Sequence, residues 1–198
     1  MKPKELNKKL WRPAIFLDRD GVLTQRHLLT WRKNQLKLTP KIASFIRFFN
    51  NKNIPVIVIT NQPVVARGWI SEKGVEKLHN ILQTRLNKRN KAFINKFYFC
   101  PHHPNANLKE YRIKCICRKP RISLFKKAAR ELNINLKKSI SIGDMTQDIL
   151  AGKRAGAKTI LLTKSGYGGK DNKYKIKADF ECQNLTEALK LSKELLTK

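Results

Sequence analysis

The chain has 198 residues, 41% of them hydrophobic, which allows one substantial core and is short for two, so residues 1–198 are expected to form a single domain. No run approaches the ~20 apolar residues of a membrane span, and the lysine-rich stretch before Trp11 has neither an apolar segment nor a small-residue cleavage site, which predicts a cytoplasmic protein with no membrane contact. Its 43 Lys+Arg against 14 Asp+Glu give a net charge of +29, but lysine predominates and is spread end to end. A phosphate-backbone reader concentrates arginine and interleaves aromatics, so a solvated basic surface is favoured over a nucleic-acid partner.

The first apolar runs, Ala14-Ile15-Phe16-Leu17 and Val56-Ile57-Val58-Ile59, have the length of buried parallel strands. Between them, Ile42, Phe45, Ile46 and Phe49 fall at helical spacing, which predicts a helix over 40–50 with Pro40 near its first turn. Ser71 reads as the cap of a second helix whose buried side carries Val75, Leu78, Leu82 and Leu86, with Gly74 as a weak point. A third strand over 97–100 leads into a polar loop. The pattern then predicts a helix over 122–132, a strand over 139–142, a helix over 146–155 and a strand over 159–162. A glycine- and lysine-rich loop over 166–173 and a closing helix over 185–196 complete the chain, while Cys182 reads as an ordinary buried thiol. This alternation predicts an α/β fold with a doubly wound, Rossmann-like parallel sheet. Its chemistry is expected just beyond the carboxyl ends of the strands.

Asp18-Arg19-Asp20-Gly21 stands at the end of the first strand. Two carboxylates at this spacing suit phosphoryl transfer, one attacking phosphorus and the other protonating the leaving oxygen, with a divalent cation screening the charge. A calcium loop is the competing reading, but Leu29 occupies the twelfth position, where an EF-hand needs glutamate. Thr60-Asn61-Gln62 follows the second strand with a hydroxyl and amides able to grip phosphate oxygens. Arg118-Lys119-Pro120 supplies two cations before a helix, and Gly143-Asp144-Met145-Thr146-Gln147-Asp148 supplies two acids after a later strand. Asp144 suits an oxygen-rich magnesium site, and Asp148 is placed to orient Lys119 or support the metal. Cys100, His102, Cys115 and Cys117 offer three thiolates and an imidazole, a closed tetrahedral set for structural zinc, with His103 expected to face away.

In this order the four strand-end motifs resemble those of the haloacid dehalogenase phosphatases, over roughly residues 12–165. The resemblance implies a haloacid dehalogenase-like fold without a large cap domain. It also implies catalytic roles for Asp18 as nucleophile, Asp20 as acid and base, and Thr60 and Lys119 as stabilisers of the phosphoryl group. Magnesium (Mg2+) would be held by Asp18, Asp144 and the Asp20 carbonyl. Cys100-Pro101-His102-His103-Pro104, Cys115-Ile116-Cys117-Arg118-Lys119-Pro120 and Ala66-Arg67-Gly68 look like the branch of D-glycero-D-manno-heptose 1,7-bisphosphate phosphatases. Histidinol-phosphate phosphatases share that zinc loop, here about 100–117, without Ala-Arg-Gly. By this analogy Arg67 and Arg118, with Asn61, bind the substrate, and zinc (Zn2+) braces the loop.

The sequence departs from the branch at Val22, at Pro63-Val64, at Met145 in place of a frequent lysine, and over Arg26-His27-Leu28-Leu29, which lacks the usual polar, glycine-containing character. A magnesium-dependent phosphomonoester hydrolase is therefore expected, with a small phosphorylated sugar such as a heptose bisphosphate as substrate. Histidinol phosphate, a nucleic-acid 3′-phosphate and a non-catalytic nucleic-acid-binding role are the alternatives.

Overall fold

A computed structural model describes residues 11–25 and 29–196; the lysine-rich N-terminus before Trp11 and most of the Arg26-His27-Leu28-Leu29 departure lie outside the described residues. The apolar runs become strands β1 (Ile15–Leu17), β2 (Val56–Asn61), β3 (Lys96–Cys100), β4 (Ile140–Gly143) and β5 (Lys158–Leu162), joined by β6 (Phe180–Cys182). All pair in parallel, in the order β3-β2-β1-β4-β5-β6. The chain thus winds outward from β1 in both directions, and the reversal of strand order between β1 and β4 opens a crevice beyond their carboxyl ends.

Alternation along each strand builds two cores. Ile15, Leu17, Val56, Val58, Ile140, Ile142, Ile160 and Leu162 share one cluster with Phe45, Ile46 and Phe49 of α1 (Ile42–Asn51) and Leu78, Leu82 and Leu86 of α3 (Glu72–Asn90). Leu185 and Ala188 of α6 (Leu185–Leu196) close that side. Phe16, Ile57, Ile59 and Tyr98 face the opposite way, against α4 (Ser123–Leu132) and Ala151 of α5 (Thr146–Ala155). Both faces of the sheet are covered, so its strands read as nearly continuous apolar runs. Ser71 caps α3 by accepting from the Gly74 N–H at 3.1 Å, and the helix runs unbroken through Gly74. Among the described residues no helix is long and apolar enough to cross a membrane, and no separate cap domain interrupts the element order.

Two elements escape the sequence pattern. The helix α2 (Pro63–Ala66) is a single turn directly after β2, and β6 is a three-residue edge strand holding Cys182, which is buried. The seat of α5 is tight. A Cβ on Gly152 would lie 2.7 Å from Thr159 Cγ2 and 2.9 Å from Ser141 Cβ. Alanine in a helix interior is worth ~1 kcal/mol over glycine, but overpacking of a fixed contact costs ~1–3 kcal/mol. Gly152→Ala is therefore predicted to lower the urea unfolding midpoint despite its better helix propensity. An unchanged or higher midpoint would show that α5 is not seated by this contact.

Candidate active site

Asp18, one residue past β1, Lys119 and Asp148 meet beneath the crevice. The Lys119 ammonium donates to Asp18 Oδ1 at 2.8 Å and to the Ile59 carbonyl at 2.7 Å, and lies 2.7 Å from Asp148 Oδ1. Lys119 is only 4% exposed. Burial alone would lower its pKa, but Asp148 and Asp18 outweigh it and push it up. Burial raises Asp18 to about 6; Lys119 opposes that shift and Asp148 adds to it. Asn61 holds the lysine from behind, accepting the Lys119 N–H at 2.9 Å and donating to the Lys119 carbonyl at 3.2 Å. Its amide thus serves the loop carrying the two cations, a function the bare motif does not reveal.

Asp20 is held differently. Its carboxylate accepts from Arg19 at 2.7 and 3.1 Å, from Gln62 Nε2 at 3.0 Å and from Thr24 Oγ1 at 3.2 Å. Burial pushes its pKa up, yet Arg19 and these donors outweigh it and hold the group below the ordinary carboxylate range. Arg19 is fully buried, and its position between two strand-end acids was the available signal for it. Gln62 also donates to Thr60 Oγ1 at 2.9 Å, so the second motif is wired to the first.

Asp144, fully buried after β4, brings its carboxylate within 4.8 Å of those of Asp18 and Asp148. Its fit is enforced by backbone. A Cβ on Gly21 would lie 2.5 Å from the Asp144 carboxyl carbon and one on Gly166 only 1.9 Å from Oδ2, both at positive φ. Tyr167 N–H donates to Asp144 Oδ2 at 2.8 Å, Gly169 N–H to its carbonyl at 2.8 Å, and Ser165 Oγ to the Gly21 carbonyl. The glycine-rich loop over 166–173, read from sequence only as a loop, therefore wraps the acid. Three neighbouring carboxylates, two of them on one ammonium, leave the cluster net negative. Asp148 spends both oxygens, on Lys119 and on the Met145 N–H at 3.1 Å. Asp18 and Asp144 thus fit a hard divalent cation, which would offset their repulsion.

Cys100, His102, Cys115 and Cys117 converge as a second set of donors within 4.8 Å of one another. The thiols of Cys100 and Cys117 lie 2.9 Å apart, those of Cys100 and Cys115 3.5 Å, and His102 Nδ1 is 3.2 Å from Cys117 Sγ. Tetrahedral zinc with Zn–S bonds of about 2.3 Å would space two thiolates by roughly 3.8 Å, so the four donors are gathered at or somewhat inside ligand separation. The hydrogen bond shared between Cys117 and Cys100 lowers Cys117 to about 5 against the opposing effect of burial and pushes Cys100 up, so the two sulfurs hold one proton between them that a metal would displace. Arg118, next in the chain, donates to the His102 carbonyl at 3.2 Å, which ties the cation to this loop.

Asp18, Asp20, Thr60, Asn61, Arg67 and Arg118 all line one cavity of about 550 Å³. His103 turns away from the four-ligand cluster, as expected, and into this cavity. Its Nδ1 accepts the Asn105 N–H at 3.1 Å, and burial, then Arg118, Arg67 and Lys173, lower its pKa. Leu29, Pro63, Trp69, Met145 and Tyr167 supply the apolar remainder of the wall.

A parallel sheet with this switch point, strand-end acids and a buried lysine defines a phosphatase of the haloacid dehalogenase superfamily, and a HAD-hydrolase-like family model matches residues 116–188. The chain is 33% identical over 153 residues to the D-glycero-beta-D-manno-heptose-1,7-bisphosphate 7-phosphatase of Haemophilus ducreyi, covering 77% of this chain and 84% of that protein. It is 39% identical over 145 residues to the enzyme of the same name from Rhodopseudomonas palustris, covering 73% and 80%. Within the superfamily, the chain belongs to the heptose bisphosphate phosphatase family. The crystal structure of D,D-heptose 1,7-bisphosphate phosphatase from B. bronchiseptica, complexed with magnesium and phosphate, shares the fold at a TM-score of 0.79 and 23% identity, over 90% of this chain and 97% of that one. A putative HAD-like phosphatase from Mesorhizobium loti gives 0.80 and 26%, over 94% and 87%. Phosphatases of this superfamily use a divalent metal.

Because Asp18 titrates at about 6 without metal, a cation arriving below that pH must displace its proton. Calorimetric Mg2+ affinity is predicted to be flat above neutrality and to fall roughly tenfold per pH unit well below the Asp18 pKa. A flat affinity across that range would remove Asp18 from the cation site.

Proposed function

We propose that the enzyme hydrolyses one phosphate of a sugar bisphosphate, of the class named by D-glycero-D-manno-heptose 1,7-bisphosphate, through an aspartyl-phosphate on Asp18. The observation carrying this reading is the composition of one cavity. It combines the Asp18 and Asp20 carboxylates with two further cations, Arg67 and Arg118, that are not needed to neutralise the reacting phosphate. A bisphosphate offers each group a partner. The names of the similar heptose enzymes support the same substrate class.

In this reading Asp18 attacks phosphorus, while Lys119 at 2.8 Å and the Thr60 hydroxyl stabilise the phosphoryl oxygens. Asp20 protonates the departing sugar oxygen, then takes a proton from the water that opens the acyl phosphate. Arg19 and Gln62 hold it as a carboxylate, the form required for the second step. The negative charge of an arriving phosphate raises its pKa towards the protonated form required for the first. Mg2+ held by Asp18, Asp144 and the Asp20 carbonyl would neutralise phosphate charge. Zn2+ held by Cys100, His102, Cys115 and Cys117 would fix the loop leading to Arg118 and Lys119. Asn61 acts by positioning Lys119, and Arg67 and Arg118 bind the leaving portion.

Two predictions test these assignments. On a phosphomonoester panel, kcat/KM for heptose or hexose bisphosphates should exceed that for 3′-phosphorylated oligonucleotides, and Asp18→Asn should abolish turnover of both, since an amide cannot form the acyl phosphate. Preferred oligonucleotide turnover with a steep salt dependence would instead assign the basic surface to nucleic acid. Separately, metal analysis should find about one zinc per chain, and Cys115→Ser should lower both zinc content and thermal stability, because a closed site contributes folding energy directly. Fully active, zinc-free protein would refute the zinc assignment.

A further inference from the structure

Trp69 stands at the wall of the catalytic cavity with 43% of its surface exposed. It is not a lone surface aromatic. The turn after α2 fixes its backbone, with the Trp69 N–H donating to the Val64 carbonyl at 3.0 Å. The ring leans on Trp31, with centroids 5.8 Å apart at 51°, and Trp31 packs against the buried Val64, Val65 and Val75 cluster. The Arg67 guanidinium lies 5.3 Å from the Trp69 ring centre, and Arg32 lies 4.1 Å from that of Trp31. Two indoles and two arginines thus form a braced cluster, of which Trp69 and Arg67 reach the cavity wall. A wide aromatic surface held rigidly open to water is unfavourable unless a ligand covers it.

The chemistry of the remaining wall narrows that ligand. Met145 and Tyr167 extend the apolar surface, and Arg67, Arg118 and His103 supply cations and a ring nitrogen to the same cavity. A saturated sugar ring bearing a second phosphate matches both features: its C–H face packs on an aromatic plane while its phosphate meets the cations. We infer that Trp69 is a specificity-determining residue, the platform on which the ring of the leaving sugar phosphate stacks, and that the enzyme selects cyclic over linear bisphosphates. This rests on the sugar-bisphosphate reading above. Trp69 has a second effect, through the guanidinium stacked on it, so the test must separate ring contact from anion binding.

The substrate pair is D-glycero-D-manno-heptose 1,7-bisphosphate and heptane-1,7-diol bisphosphate, which carries two phosphates and no ring. Trp69→Ala should lower kcat/KM for the heptose ester roughly tenfold more than for the linear ester, and Trp69→Phe should recover most of that difference. Arg67→Ala should reduce both alike. In an Asp18→Asn protein, which keeps Trp31 in place, adding the heptose bisphosphate should shift the tryptophan emission, and the Asp18→Asn, Trp69→Phe protein should lose that response. Equal losses on both esters after Trp69→Ala, or an emission unmoved at saturating ligand, would overturn the platform while leaving the substrate reading intact. A wild-type enzyme inactive on the heptose ester, yet active on other monoesters, would overturn both, and the wild-type measurement alone identifies that case.

Discussion

The site is organised around one buried ammonium. Lys119 reaches into the switch point of the sheet and holds the acid beyond β1, an acid of α5 and a carbonyl of β2 within 2.8 Å. Bringing two carboxylates into a nearly dry crevice is strongly unfavourable, and a single charge between them offsets much of that penalty only if its geometry is fixed. Asn61 supplies the fixing, by gripping the Lys119 backbone on both its N–H and its carbonyl. Neighbouring parts meet at this anchor: Arg118, the preceding residue, is bonded to the His102 carbonyl of the cysteine loop, and Asp144 lies with Asp18 and Asp148 within 4.8 Å.

The two metal-suited sets have opposite characters. The carboxylates repel one another and gain from a cation, whereas the cysteine cluster has already drawn together through sulfur and imidazole contacts. In the proposed reading one set serves the chemistry and the other the scaffold. They meet in the Arg118-Lys119 dipeptide, one member bound to the His102 carbonyl and the other to Asp18. The loop therefore transmits its shape directly to the charges lining the cavity.

Most of the fold is legible in the sequence because the central strands are buried on both faces and read as uninterrupted apolar runs, while α1 and α3 carry clean helical stripes. The strand β6 is not legible, since three residues with an exposed Glu181 in the middle give no pattern, and α2 is too short for periodicity. The polar residues at strand ends are legible as a set, and their convergence on one crevice follows from strand order. The supporting shell is not. The burial of Arg19, the turn of His103 into the cavity and the wrapping of Asp144 by Tyr167 and Gly169 depend on which loops meet in space, and spacing along the chain carries no information about that.

The enclosure of Asp144 also bears on the order of events in folding. Lys119 and Asp18 are 101 residues apart, and the bond from Ser165 to the Gly21 carbonyl joins positions 144 apart. Contacts of such range are the slowest to form, because the entropy of closing a long loop must be met before they reward it. The crevice cannot close around its acid until the segment beyond β5 has left the ribosome, so a nascent chain that ends after α5 has every residue of the charge cluster and no finished site. Activity is thus a late product of synthesis, delayed until the loop at residues 165–169 seals the crevice.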